Sequence, residues 1–154
     1  MTLPPKQHAS NGRHRRHHRA PLPRRLAWHD GAPATAEARH AARAFLDDAG
    51  SAGWARPTDH ASETIQLVVS ELLTNAHQHA PGPCGLHLEM DQSATGCLAR
   101  ITVWDTSPHP PAPQLPDPHR IGGRGLTIVQ ALSSHVSVDT HPSGKQVKAD
   151  IALP

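Results

Sequence analysis

Ser70-Glu71-Leu72-Leu73-Thr74-Asn75-Ala76-His77-Gln78-His79 is the stretch on which the fold turns. It closes an apolar run of helical period that begins near Asp59, with Ile65, Val68 and Val69 one or two turns earlier. Residues four apart on a helix share a face, so Glu71, Asn75 and His79 form one polar stripe, with Leu72, Leu73 and Ala76 on or beside the opposite side. A core helix carrying a carboxylate and a carboxamide one turn apart offers a base and an oxygen ligand for a hard cation such as Mg²⁺. Taken alone, the stripe is more simply the wet side of an ordinary helix, and the rest of the chain has to decide.

Working outward, Pro57-Thr58-Asp59 opens this helix and Ala80-Pro81-Gly82-Pro83 stops it. Before it, Ala38, Ala41, Ala42, Phe45, Leu46 and Ala49 repeat at helical spacing. Pro33 and Thr35 look like that helix's start, with Thr35 as N-cap, and Gly50 and Gly53 like its end. Arg25 to His29 reads as a short edge strand. After the central helix, Leu86, Leu88 and Met90 alternate with His87, Glu89 and Asp91, the period of a half-buried strand. Gln92 to Gly96 make a turn, and Leu98 to Trp104 form a second strand, with Ala99, Ile101 and Val103 on one face, ending at Asp105. Six prolines in residues 108–121 mark a long loop, and loops of that length are usually lids, binding loops or disorder. Gly122-Gly123-Arg124-Gly125 then leads into a helix from Leu126 to about Ser134. His135 to Thr140 is a strand with Val136 and Val138 inward. Pro142-Ser143-Gly144-Lys145 turns into a last strand in which Val147, Ala149, Ile151 and Leu153 alternate. Strands and helices do not alternate strictly, so a doubly wound parallel sheet is excluded. The pattern predicts an α+β domain, a two-layer sandwich with helices on one face of a mixed, mostly antiparallel sheet.

The chain of 154 residues suits one domain. With one Phe, three Trp and no Tyr, aliphatic side chains must fill the core. Cys84 and Cys97 are too few for a four-thiolate zinc site or a disulfide framework, and free thiols in a reducing cytosol are the simpler reading. No apolar run has the length of a membrane span, and the basic N-terminus lacks the apolar segment of a secretory signal, so a cytoplasmic protein is expected. Residues 1–25 hold seven of the fifteen basic residues and no acid, leaving the body with a net charge of −5. Residues 1–24 read as a disordered His/Arg/Pro-rich tail and residues 25–154 as the folded domain. The tail could touch nucleic acid weakly through charge, but it has no interleaved aromatics for base stacking.

Three clusters carry chemistry. The first is Glu71 with Asn75. The second is Asp105-Thr106-Ser107-Pro108, where a carboxylate at the end of a central strand can accept a hydrogen bond from a buried donor such as an adenine amino group, or serve as a turn residue. The third is Gly122-Gly123-Arg124-Gly125-Leu126, where glycines before a helix let the backbone approach phosphates and the helix N-terminus favours anions. Each is weak alone. In this order and spacing they resemble the histidine-kinase/gyrase-type ATPases, the Bergerat ATP-binding fold, over about residues 25–154. Ser-Glu-Leu-Leu-Thr-Asn-Ala-x-x-His at 70–79 is the most specific part. Within that superfamily the chain looks most like the small stand-alone bacterial anti-sigma-factor serine/threonine kinases. Their Asp-x-Ser-Pro motif is matched at 105–108, Gly-Gly-Arg-Gly-Leu at 122–126 and Gly-Lys-x-Val at 144–147.

The resemblance implies roles by position. Asn75 would hold Mg²⁺ bridging the phosphates of ATP, and Glu71 would act as general base. Asp105 would read adenine. Gly123, Arg124 and Gly125 would meet the phosphates, with Ser107 and Leu126 completing the nucleotide-binding set. Lys145 stands where many relatives have Thr beside adenine. The implied activity is ATP-dependent phosphorylation of a small antagonist protein by a kinase that also binds a sigma factor. The alternative is an ATP-dependent module that sequesters its partner without phosphotransfer. No membrane partner is implied, and the resemblance is compatible with a homodimer.

Overall fold

The computed structural model describes residues 23–29, 35–80, 82–109 and 125–154. The basic tail through residue 22, Pro33, the proline-rich loop from residue 110 onward, and Gly122, Gly123 and Arg124 lie outside the described residues.

The elements follow the order expected: β1 (Arg24–Trp28), α1 (Thr35–Ser51), α2 (Asp59–His79), β2 (Cys84–Ser93), β3 (Gly96–Asp105), α3 (Gly125–Leu132), β4 (His135–His141) and β5 (Gly144–Leu153). The five strands form one sheet in the order β1-β2-β3-β5-β4. Every pairing among the described residues is antiparallel, where the sequence pattern allowed a mixed sheet. β3 is therefore central, which buries the strand that ends at Asp105.

Helix α2 begins where its sequence says it should. Thr58, in extended conformation, accepts the Ala61 N–H on its hydroxyl at 3.1 Å, a cap for one of the helix's unpaired donors. Helix α1 departs slightly from expectation. Thr35 is already its first residue, and Gly50 lies inside it rather than at its end. The turn comes at Gly53, whose φ of +89° suits glycine, with the Trp54 N–H returning to the Ala49 carbonyl at 3.0 Å. The β2–β3 hairpin is also tighter than expected, because the strands extend to Ser93 and Gly96 and leave only residues 94 and 95 to connect them.

One apolar cluster joins both layers. Ala38, Phe45 and Leu46 of α1 and Ile65, Val68, Val69, Leu72, Leu73 and Ala76 of α2 meet Leu86, Leu88, Ile101, Val103, Val147, Ala149 and Ile151 of the sheet. Each fully buried Leu, Ile, Val or Phe contributes about 1.5–3 kcal/mol relative to an exposed position, which is how a chain poor in aromatics holds together. Val138 is an exception. It pairs in register with buried Val147 but remains 37% exposed on the edge strand. The periodicity that predicts its direction cannot tell whether an edge position is covered.

On the sheet's other face, Arg100 forks onto Asp150 at 2.8 and 3.0 Å and reaches Asp91 at 3.1 Å. Trp104 lays its indole across Gly85, its register partner, so closely that any Cβ at position 85 would overlap the ring.

Candidate nucleotide site at the helix-facing end of the central strand

Alternation along β3 places Asp105 on the same face as Ala99, Ile101 and Val103, beneath the helices. Both carboxylate oxygens are engaged. Oδ1 accepts the Ser107 N–H at 2.8 Å, closing a turn just past the strand. Oδ2 accepts the Lys145 ammonium at 2.6 Å. Lys145 lies directly opposite Asp105 in the β3–β5 register, and the two side chains are 1% and 3% exposed. Ser107 is half-buried, and its hydroxyl accepts the His109 N–H at 3.3 Å. Position 144 admits only glycine, because its φ is +152° and a Cβ there would strike the Asp105 carbonyl. A cavity of about 300 Å³ beside the pair is lined by Asp105, Thr106, His141, Ser143 and Lys145 among others.

Cys84, buried at the start of β2, belongs to the same region. Burial pushes its thiol above the ordinary value of 9.0, and the Asp105 charge pushes it the same way.

A second cluster lies where α2 packs against α3. Glu71 and Asn75 are both half-buried, one turn apart. The Glu71 carboxylate rests against the first residue of α3: a Cβ added at Gly125 would lie 2.6 Å from Glu71 Oε2. Gly125 therefore makes room for an acidic side chain at a helix N-terminus, a place that also favours anionic ligands. Leu126 follows, half-buried against the core. Gly82, just beyond α2, approaches the Thr106 hydroxyl, so the chain leaving α2 runs beside the end of β3.

The structure thus brings Glu71 together with Gly125, and Asp105 together with Ser107. Gly123 and Arg124 fall outside the described residues. Among the described residues, no group of three or more His, Cys, Asp or Glu side chains is arranged to hold a metal ion. A cation held by Asn75 would need ligand oxygens from elsewhere, as Mg²⁺ commonly takes from phosphates. The feature missed in the sequence is the engagement of Asp105 by Lys145. Alternation puts Lys145, two residues before Val147, on the buried face, but it does not make Lys145 the partner of Asp105.

The fold is an antiparallel sheet covered on one face by helices, with an acid-amide pair on α2, a glycine leading α3 and an aspartate at the end of the central strand. The family model described as the histidine kinase-like ATPase domain matches residues 32–151. The chain belongs to this family, and ATP binding is the property the family brings. No curated protein matches. Two solved structures are similar in part. One comprises the RsbU and RsbW domains of a Mycobacterium tuberculosis protein, at 20% identity and a TM-score of 0.47, covering 84% of this chain and 32% of that one. The other is the histidine kinase domain of a blue-light-activated histidine kinase from Erythrobacter litoralis, at 31% identity and a TM-score of 0.42, covering 60% of this chain and 45% of that one. The chain spans less than half the length of either. No helix among the described residues is long and apolar enough to cross a membrane.

Proposed function

We propose that this chain is an ATP-binding regulatory protein kinase of the anti-sigma type, which transfers phosphate to a serine or threonine of a small antagonist protein and also binds a sigma factor. The observation that carries the reading is the contact of Glu71 with Gly125 at the start of α3, which joins the candidate base to the candidate phosphate cradle. Bound ATP would supply the phosphoryl group, which passes to a hydroxyl oxygen as its bond to the β-phosphate breaks and ADP leaves.

The chain's own residues would do the rest. The α3 N-terminus, with Gly123, Arg124 and Gly125, would hold the phosphates, Arg124 adding a positive charge. Asn75 would give Mg²⁺ an amide oxygen. Glu71 would accept the proton of the attacking hydroxyl on its carboxylate. Asp105 would orient the adenine, with Ser107 and Leu126 flanking the nucleotide. In such a reaction positioning and charge neutralisation matter most, so a small set of groups suffices.

The test is ATP-dependent labelling of candidate antagonist proteins by the wild type, Glu71→Ala and Glu71→Gln. Loss of a general base lowers the rate by about a hundredfold or more, with nucleotide binding retained. Equal labelling by all three proteins would remove Glu71 from the chemistry.

A second reading is an ATP-dependent module that sequesters a partner without transfer. The burial of Asp105 under Lys145 favours it, because a base site engaged by the protein's own side chain suits slow occupancy better than rapid turnover. Nucleotide-dependent partner binding with no labelling of any candidate would select it.

A further inference from the structure

The Asp105–Lys145 pair bears on which ligand the site can take. A carboxylate offers about four lone-pair directions on two oxygens. Here one oxygen takes the Ser107 N–H and the other the Lys145 ammonium. Both side chains are almost wholly buried, so the remaining lone pairs do not face open solvent. The pairing is built into the backbone as well. Lys145 is the register partner of Asp105, and the adjoining Gly144 fits closely against the Asp105 carbonyl. Either kind of donor, ammonium or neutral amino group, would meet an ionised acceptor, but the ammonium adds the attraction of its own full charge, which the amino group lacks. An exocyclic amino group arriving at Asp105 is such a neutral donor, and it competes at a disadvantage.

We propose that Lys145 is an internal competitor for the base: it occupies the acceptor that a purine amino group would use, so nucleotide engages Asp105 only when the ammonium is displaced. This rests on the proposed role of Asp105 as the adenine acceptor. The displaced ammonium moves into the neighbouring cavity, where Thr106 and Ser143 bring hydroxyl groups. Lys145 is in this sense a specificity-determining residue. With the pair closed, the site holds a nucleotide by its phosphates and is nearly blind to the 6-amino group. With the pair open, it reads that group. Apparent affinity falls by the fraction of molecules in which the acceptor is free.

The experiment is equilibrium titration of the full chain with Mg²⁺-ATP and with purine riboside 5′-triphosphate, which lacks the 6-amino group. It is run on the wild type, Lys145→Thr and Lys145→Met, each checked for folding by circular dichroism. The wild type should bind the two nucleotides nearly equally. Lys145→Thr should bind ATP about tenfold tighter or more and prefer it over the analogue by about tenfold. Binding by the variants alone, with none by the wild type, counts the same way.

Removing the ammonium leaves a buried carboxylate unpaired, and the wild-type comparison decides the matter even where the variants fail to fold. A wild type that already prefers ATP about tenfold over the analogue, or a folded Lys145→Thr that binds ATP no tighter, overturns the competitor while leaving ATP binding intact. Absence of ATP binding in all three folded proteins overturns the ATP site itself and the competitor with it.

Discussion

At the scale of single residues, the candidate site is governed by what its backbone cannot accommodate. Gly144 is the clearest case. Its φ of +152° is open to glycine and costly for other residues, and a Cβ there would press on the Asp105 carbonyl. Gly144→Ala should therefore destabilise the protein by about 2–3 kcal/mol, measured by urea unfolding. A loss near zero would mean that the β4–β5 turn relaxes without disturbing β3. Gly125 behaves differently, because the atom its Cβ would meet is the far end of a flexible Glu71 side chain. A substitution there moves the carboxylate more than it strains the fold.

At the scale of elements, helix α2 explains both why the fold was legible and where legibility ended. Its apolar period over Ile65, Val68, Val69, Leu72, Leu73 and Ala76 is long, uninterrupted and bounded by Thr58 and Ala80-Pro81-Gly82-Pro83, so type and limits were readable. The cap contributes measurably. Thr58→Ala should cost about 1 kcal/mol and lower the melting temperature by about 2–4 °C, as read by differential scanning calorimetry. Thr58→Ser should recover most of the loss, since its hydroxyl can accept the same Ala61 N–H.

Strand directions were equally legible, because alternation places Leu86, Leu88, Ile101, Val103, Val147 and Ile151 inward without any knowledge of the partner strands. The pairing of Asp105 with Lys145 was not. Alternation puts each residue on the buried face, but only the order β3 next to β5, with its register, makes them opposite one another. Proximity across 40 residues is a property of topology, and local pattern carries no information about it. The contact of Glu71 with Gly125 was hidden for the same reason, since it depends on how α3 packs on α2.

At the scale of the whole molecule, one apolar cluster spans both layers, so a buried titratable group anywhere in it is linked to global unfolding. Cys84 supplies a test. An unfolded thiol titrates near 9.0, and the folded value is raised by burial and then by Asp105. Above pH 9 the unfolded chain gives up this proton while the folded chain still holds it. The stabilisation is complete below that pH and is lost as pH rises from there through the folded value. Urea unfolding across this alkaline range should show wild-type stability falling more steeply than that of Cys84→Ala, by at most about 1.4 kcal/mol per pH unit. Parallel pH profiles for the two proteins would show that the thiol ionises alike in both states.

The contact between Trp104 and Gly85 also limits how the sequence can change. The two positions are directly opposed across β2 and β3, and the indole fills the volume a larger residue at 85 would need. Varied one at a time, position 85 should tolerate glycine almost alone in a selection for folded protein, whereas libraries that shrink residue 104 together with it should recover alanine or serine. The route between those solutions passes through a smaller residue at 104 first. In this part of the sheet, the order in which mutations arrive matters as much as which mutations they are.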